Sequence, residues 1–157
     1  MANMVNEDMG KGLHCGRDDC PPCEGGEENK RQNCRLRSIL YETSCLLCNP
    51  VENKNDKKKE RAGVYIGESS RSLSERIGEH VDDARAFKEG SHIVKHWMEK
   101  HPSLDRFPPF RYKIRKTFKD CLSRQVNEAV AIFMAEETLL NEKNDKIAPS
   151  CDSYHTI

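Results

Sequence analysis

Nothing in this chain is long and apolar enough to span a membrane. Its first residues, Met1-Ala2-Asn3-Met4-Val5-Asn6-Glu7, carry neither the basic nor the apolar part of a secretory signal. Both shortages point to a soluble, intracellular protein and away from membrane work. Charge of one sign is missing as well: 26 lysines and arginines against 26 aspartates and glutamates give a formal net charge of zero. Whole-chain attraction to a polyanion is therefore no argument, and only local clusters of charge can speak for nucleic acid. Apolar residues are scarce, at 36% of the chain, and aromatic ones scarcer, at 6%. So thin a supply over 157 residues allows one compact domain plus extras, with a small core that needs staples.

What the chain does have is eight cysteines. In a chain without a secretion signal, metal explains them better than disulfides or free thiols. Cys15, Cys20, Cys23 and Cys34 have the spacing C-x4-C-x2-C-x10-C, with a knuckle around Pro21-Pro22. The intervening polar segment has no core residues of its own, and a tetrahedral zinc would hold it together. His14 could replace one of the four. A second knuckle, Cys45-Leu46-Leu47-Cys48, follows the strand-like Ile39-Leu40-Tyr41. Ser91 to His101 reads as a helix stopped by Pro102, and it carries His92 and His96 one turn apart. Cys45, Cys48, His92 and His96 therefore make a candidate second zinc site, pinning the first hairpin to that helix. Cys121 has no evident partner and reads as a small core residue; Cys151 is unassigned.

Between the charged tip Asn53–Glu60 and the second half of the chain lies Gly63-Val64-Tyr65-Ile66-Gly67-Glu68, a short strand bounded by glycine. Ser72 and Glu75 form a capping box for a helix whose apolar stripe is Leu73, Ile77, Val81 and Ala84. Arg76 and His80 sit one turn apart beside that stripe. A tyrosine, an arginine and a histidine thus converge at a strand-to-helix junction. That set suits a phosphodiester, because arginine holds phosphate by two hydrogen bonds while tyrosine and histidine handle protons.

Tyr65-Ile66-Gly67, followed by Arg76 and His80, resembles the GIY-YIG nuclease family. Ile39-Leu40-Tyr41 sits where that family has its first tyrosine motif, with Ile39 in place of the glycine. A cysteine pair between the two motifs and a histidine pair downstream resemble the endonuclease of Penelope-like retroelements, as do Tyr65 to Leu73, Ser91-His92, Lys95-His96-Trp97 and Leu122-Ser123-Arg124-Gln125. The resemblance covers about residues 15 to 145. It implies a divalent-metal-dependent DNA endonuclease, nicking target DNA to prime reverse transcription. Its partners would be DNA and a reverse transcriptase in cis or trans, and its location the nucleus. It also implies that Glu128 binds a catalytic Mg2+ or Mn2+, that Tyr41 or His80 is the general base, and that Asn141 lies near the active site.

Further along, Phe110 to Phe118 reads as a strand with Phe110, Tyr112 and Ile114 inward and a slip of register near Lys116. Arg111, Lys113 and Arg115 share its outer face and, with Arg71, are candidate DNA contacts. Ser123 to about Leu140 reads as a last helix with two apolar rows, one of Leu122, Val126, Val130 and Phe133, the other of Ile132, Ala135 and Leu139; Glu128 falls on the second. The expected organisation is a loose start (1–13), a four-cysteine zinc extension (14–36), an α+β domain with a three-stranded antiparallel sheet and helices packed on it (37–145), and a tail (146–157). Tyr41, Tyr65, Arg76, His80 and Glu128 are expected to line one concave face beside the basic strand. The alternative from another class is a zinc-stapled DNA-binding module without catalysis.

Overall fold

The computed structural model describes residues 15, 17, 19–23, 34–49, 62–135 and 139–141. The expected loose start, the charged tip, the tail, His14 and Cys151 lie outside the described residues. The elements run β1 (Ile39–Cys45), β2 (Val64–Ser69), α1 (Leu73–Arg85), α2 (His92–Lys100), β3 (Phe110–Thr117) and α3 (Cys121–Met134). The strands form one antiparallel sheet in the order β2-β1-β3. This is the α+β arrangement the sequence leads one to expect.

β1 is the central strand and every residue of it is buried. Alternation then divides the side chains between the two faces of the sheet. Ile39, Tyr41 and Cys45 join Leu73, Ile77, Ile93, Phe110 and Tyr112 in the larger core, under α1 and α2. Leu40 and Ile66 point the other way and meet Ile132 of α3. A bulge between Leu40 and Tyr41 in the β1–β3 register pairs Leu40 with Lys116 and Tyr41 with Ile114. That is the slip near Lys116. Asn49 closes the β1–β2 connection: its Nδ2 donates to the Cys45 carbonyl at 2.9 Å and its Oδ1 accepts from Ala62 N at 3.1 Å.

α1 starts where the capping box puts it, with Glu75 N donating to Ser72 Oγ and Ser72 N donating to Glu75 Oε2. α3 departs from expectation at both ends. Asp120, not Ser123, is the cap, and its carboxylate accepts from Ser123 N at 2.7 Å. The helix stops at Met134, and Leu139 bridges in parallel to Val64 with Leu140 N donating to the Val64 carbonyl at 2.7 Å. The reason is the edge position of β2, whose open backbone groups capture the chain leaving the helix. Only one row of α3 is buried, Arg124, Glu128 and Ile132. The row Leu122, Val126, Val130 and Phe133 faces outward, Phe133 being 77% exposed. Arg124 ties the helix to the sheet by pairing with Glu68 and donating to Ser38 Oγ at 3.0 Å. Cys121 is disulfide-bonded rather than a small core residue. No helix among the described residues is long and apolar enough to cross a membrane.

Candidate active site and metal centres

Tyr41, from the middle of β1, reaches across Gly67 toward α1. Its hydroxyl meets His80 Nε2 at 2.9 Å and accepts from Arg76 Nε at 3.2 Å. Arg76 and His80 are one turn apart on α1, so both side chains meet the same hydroxyl. Gly67, opposite Tyr41 in the β1–β2 register, makes the space, since a Cβ there would lie 2.6 Å from the Tyr41 hydroxyl.

Burial raises the Tyr41 pKa well above the usual phenol range, with Tyr65 adding to the shift and Arg76 opposing it. Tyr41 is therefore a neutral phenol. With the Arg76 N–H already accepted, its own proton goes to His80 Nε2, which places the ring proton on Nδ1. The opposite tautomer would strand the buried Tyr41 proton as well. Burial, with Arg76 second, lowers the His80 pKa to about 3, so the imidazole is neutral. Burial works against the Arg76 charge, but Tyr41 and Glu79 outweigh it, and the guanidinium is held above its ordinary value.

A pocket of about 180 Å3 opens beside this chain, lined by Tyr65, Arg76 and His80 and on the far side by the α1–α2 turn and His92. Tyr65 presents its ring edge to His80 and stacks on His92, with centroids 6.2 Å apart. Tyr41 is fully buried and stands one layer behind.

The structure brings Tyr41, Tyr65, Arg76 and His80 together, but it does not assemble the whole expected face. Glu128 belongs to α3, on the opposite side of the sheet; it is 1% exposed and its charge reaches Tyr41, helping to raise that pKa. Arg111 and Lys113 alternate with Phe110 and Tyr112, so they point away from the pocket, and β3 is the edge farthest from β2. The basic strip is thus on the other face and the other edge. Arg115 pairs there with Glu42 at 3.3 Å. Arg71 pairs with Glu79, which also holds Arg76 at 2.8 Å. Asn141 binds both backbone groups of Ile66, at 2.9 and 2.7 Å, and so fastens the returning chain to the β2 edge.

Two groups could each hold a structural zinc ion. Cys15, Cys20, Cys23 and Cys34 form one, as expected; Cys45, Cys48, His96 and His101 form the other, with the ligand atoms of each within 4.8 Å of one another. The second set corrects the expected His92 to His101. His92, at the first turn of α2, turns to Tyr65. His96, one turn on, turns to the knuckle, and the chain curls back after Lys100 to bring in His101 as the C-cap residue. Both histidines present Nε2, and the sulfur–nitrogen distances of 3.3–3.5 Å fit a tetrahedral ion; bonds of about 2.0–2.3 Å place ligand atoms about 3.3–3.8 Å apart. Gly63, at φ +67°, keeps this site open, for a Cβ would come within 2.9 Å of the His96 ring. In the four-cysteine group Cys15 and Cys23 sulfurs lie 3.7 Å apart, and Cys15 N donates to Cys34 Sγ. Without a cation, burial pushes Cys20 up to about 12, while the Arg17 N–H draws Cys15 down to about 7. A dication would let all four thiols ionise together. The four-cysteine group also docks on α1, since the carbonyls of Cys34 and Leu36 accept from Ser74 N and Leu73 N. The sequence reads His101 as the last residue of the helix, whereas it is the C-cap residue turned back to the knuckle; the C-x2-C…H-x4-H spacing is the signal that finds it.

No family model, curated protein or solved structure matches this chain.

His80 gives the site a pH signature. Its folded pKa lies near 3 and its ordinary value at 6.5, so its contribution is full above pH 6.5 and drains as pH falls toward 3. The slope is about 1.4 kcal/mol per pH unit at most. Urea melts across this window should show stability falling with acid, and His80→Asn should flatten part of the fall. An unchanged slope in the variant would mean that the zinc ligands, not His80, carry it.

Proposed function

We propose that this chain is a divalent-metal-dependent DNA endonuclease of GIY-YIG type, nicking one strand. In the finer reading it serves a retroelement of the Penelope-like kind, in the nucleus, beside a reverse transcriptase. The observation that carries the enzymatic reading is the Arg76–Tyr41–His80 hydrogen-bond chain along a pocket that Tyr65 shares. A structural core has no need to bury a guanidinium and a neutral imidazole on one phenol beside an open pocket.

Hydrolysis of a phosphodiester adds a water oxygen to phosphorus, breaks a phosphorus–oxygen ester bond and returns a proton to the leaving oxygen. Arg76, cationic at any working pH, holds the phosphate and stabilises the charge that grows in the transition state. The Tyr65 hydroxyl orients the phosphate or the water. Tyr41 stands one layer behind the pocket, so a proton leaving the water passes first to the Tyr65 hydroxyl and from it to Tyr41 as the Tyr41 proton moves to His80 Nε2, and Tyr41 and His80 share the base role rather than compete for it. The carboxylate of Glu128 is a hard oxygen donor near Tyr41, the donor type that Mg2+ or Mn2+ takes. Glu128 is buried and does not line the pocket, so this carboxylate alone does not set an ion on the phosphate that Arg76 holds; a divalent ion bound there would supply Lewis-acid polarisation of the phosphoryl oxygen. The zinc sites each have four protein ligands, which suits structure and leaves no open position for chemistry.

Supercoiled plasmid incubated with zinc-loaded protein should become open circles when Mg2+ or Mn2+ is added and stay intact without it. Plasmid that is retarded in a gel yet never nicked in either ion would overturn the enzyme and leave a zinc-stapled DNA-binding module.

A further inference from the structure

The pocket beside Tyr65 holds more polar groups than one phosphodiester uses. Its far wall is the α1–α2 turn and the first turn of α2, with Lys88, Ser91 and His92. Ser91 is the N-cap residue, yet its side chain makes no capping hydrogen bond. The first amides of α2 therefore offer their positive pole to whatever enters. Lys88 is held by Asp83, which lines the same pocket, at 3.2 Å, so an anion that enters shares Lys88 with that carboxylate.

A second observation comes from the near wall. His80 is 5% exposed and its Nδ1 has no hydrogen-bond partner. With Nε2 taken by the Tyr41 hydroxyl, Nδ1 bears the proton and is a buried donor in want of an acceptor.

We propose that this pocket is a subsite for a second phosphate of the bound strand, next to the one that is cut, held by the α2 amides, Ser91, His92 and Lys88, and that this phosphate accepts the Nδ1 proton of His80. The inference rests on the nuclease reading and deepens it. Nδ1 is shielded from bulk water in this form, so the phosphate reaches it as the first turn of α2 eases outward and lifts His92 from Tyr65. When the water proton has passed through Tyr41 to Nε2, His80 becomes an imidazolium between Tyr41 and a phosphate oxygen. The anion offsets the burial and the Arg76 charge that keep the free ring neutral. His92, Ser91 and Lys88 are positioning residues in this scheme. A substrate without the second phosphate should show a raised KM together with a depressed kcat.

The test is nitrogen NMR of the histidine rings in zinc-loaded full chain, without Mg2+, titrated separately with a DNA duplex and with inorganic phosphate. His80 should be the Nδ1–H tautomer throughout, and its Nδ1–H signal should move downfield with either probe. His92→Ala with Lys88→Ala should lose that movement and lower the salt slope of DNA binding by about 1; zinc content confirms that the variant is folded. A ring protonated on Nε2 instead, or an Nδ1–H signal unmoved by both probes, overturns the subsite. A shift with inorganic phosphate and none with bound duplex overturns its assignment to DNA. A shift with inorganic phosphate where no duplex binds at all keeps the subsite and removes the nuclease.

Discussion

Protein carrying His101→Ala should purify with one zinc fewer per chain than the wild type, whereas His92→Ala should keep the full two. The Cys45, Cys48, His96 and His101 atoms are already spaced for an ion, and His92, one turn before His96, stacks on Tyr65 instead. The energetic effect should be large. Structural zinc contributes on the order of 10 kcal/mol to folding in small zinc modules, against a total stability of about 5–15 kcal/mol for a domain. The site also ties the end of β1 and its knuckle to the C-terminus of α2, with Gly63, just before β2, packed against the His96 ring. Cys45 is part of the main core as well as a ligand. Cys45→Ala should therefore lose β1 pairing, α2 docking and the Tyr41 chain together, with a collapsed melting transition and no zinc at that site. Metal analysis and thermal unfolding of the three variants decide the matter. One zinc in His92→Ala, or two in His101→Ala, would return the ligand set to the one the sequence suggested.

That ligand exchange shows where the sequence was legible and where it was not. Spacing within an element read true: the capping box at Ser72 and Glu75, the stripe of α1, the inward Phe110, Tyr112 and Ile114, and the Arg76–His80 pair all follow from periods of 3.6 and 2. What failed depended on how elements turn against one another. His92 and His96 share one side of a helical wheel, but α2 is rotated so that the first serves the pocket and the second the zinc. Charge and the expected chemistry together suggest a basic strand beside the active site, yet alternation with Tyr112 already puts Arg111 and Lys113 on the other face. The sequence overextends α3 because helical periodicity in Leu139 cannot reveal that a free β2 edge will compete for the same residues. Asn141 illustrates the same limit, since its pairing with Ile66 belongs to that edge.

Gly67→Ala should abolish most cleavage while leaving zinc content and DNA affinity nearly unchanged. A methyl at this position would sit 2.6 Å from the Tyr41 hydroxyl and 2.8 Å from Tyr65 Cε1, inside the contact distance of both rings. Tyr41 is wholly buried under α1 and cannot swing into solvent, so the ring must shift by a fraction of an ångström or more within the core. Overpacking of this kind costs about 1–3 kcal/mol, which a zinc-stapled domain survives. The hydrogen bonds of 2.9 Å to His80 and 3.2 Å from Arg76 do not survive it intact, because both converge on the displaced oxygen. A misplacement near 1 Å in a catalytic group lowers rate by about 100-fold. The variant should thus bind duplex within a few-fold of wild type, retain two zincs, melt slightly lower, and nick plasmid about 100-fold more slowly in kcat with little change in KM. A lowered melting point with an unchanged kcat would show that Tyr41 and His80 are buried structure and that the proton leaves by way of Tyr65 without them. A lost zinc would show that the methyl had disturbed β1 as far as Cys45, and Tyr41→Phe, which removes the hydroxyl without adding volume, would then separate chemistry from packing.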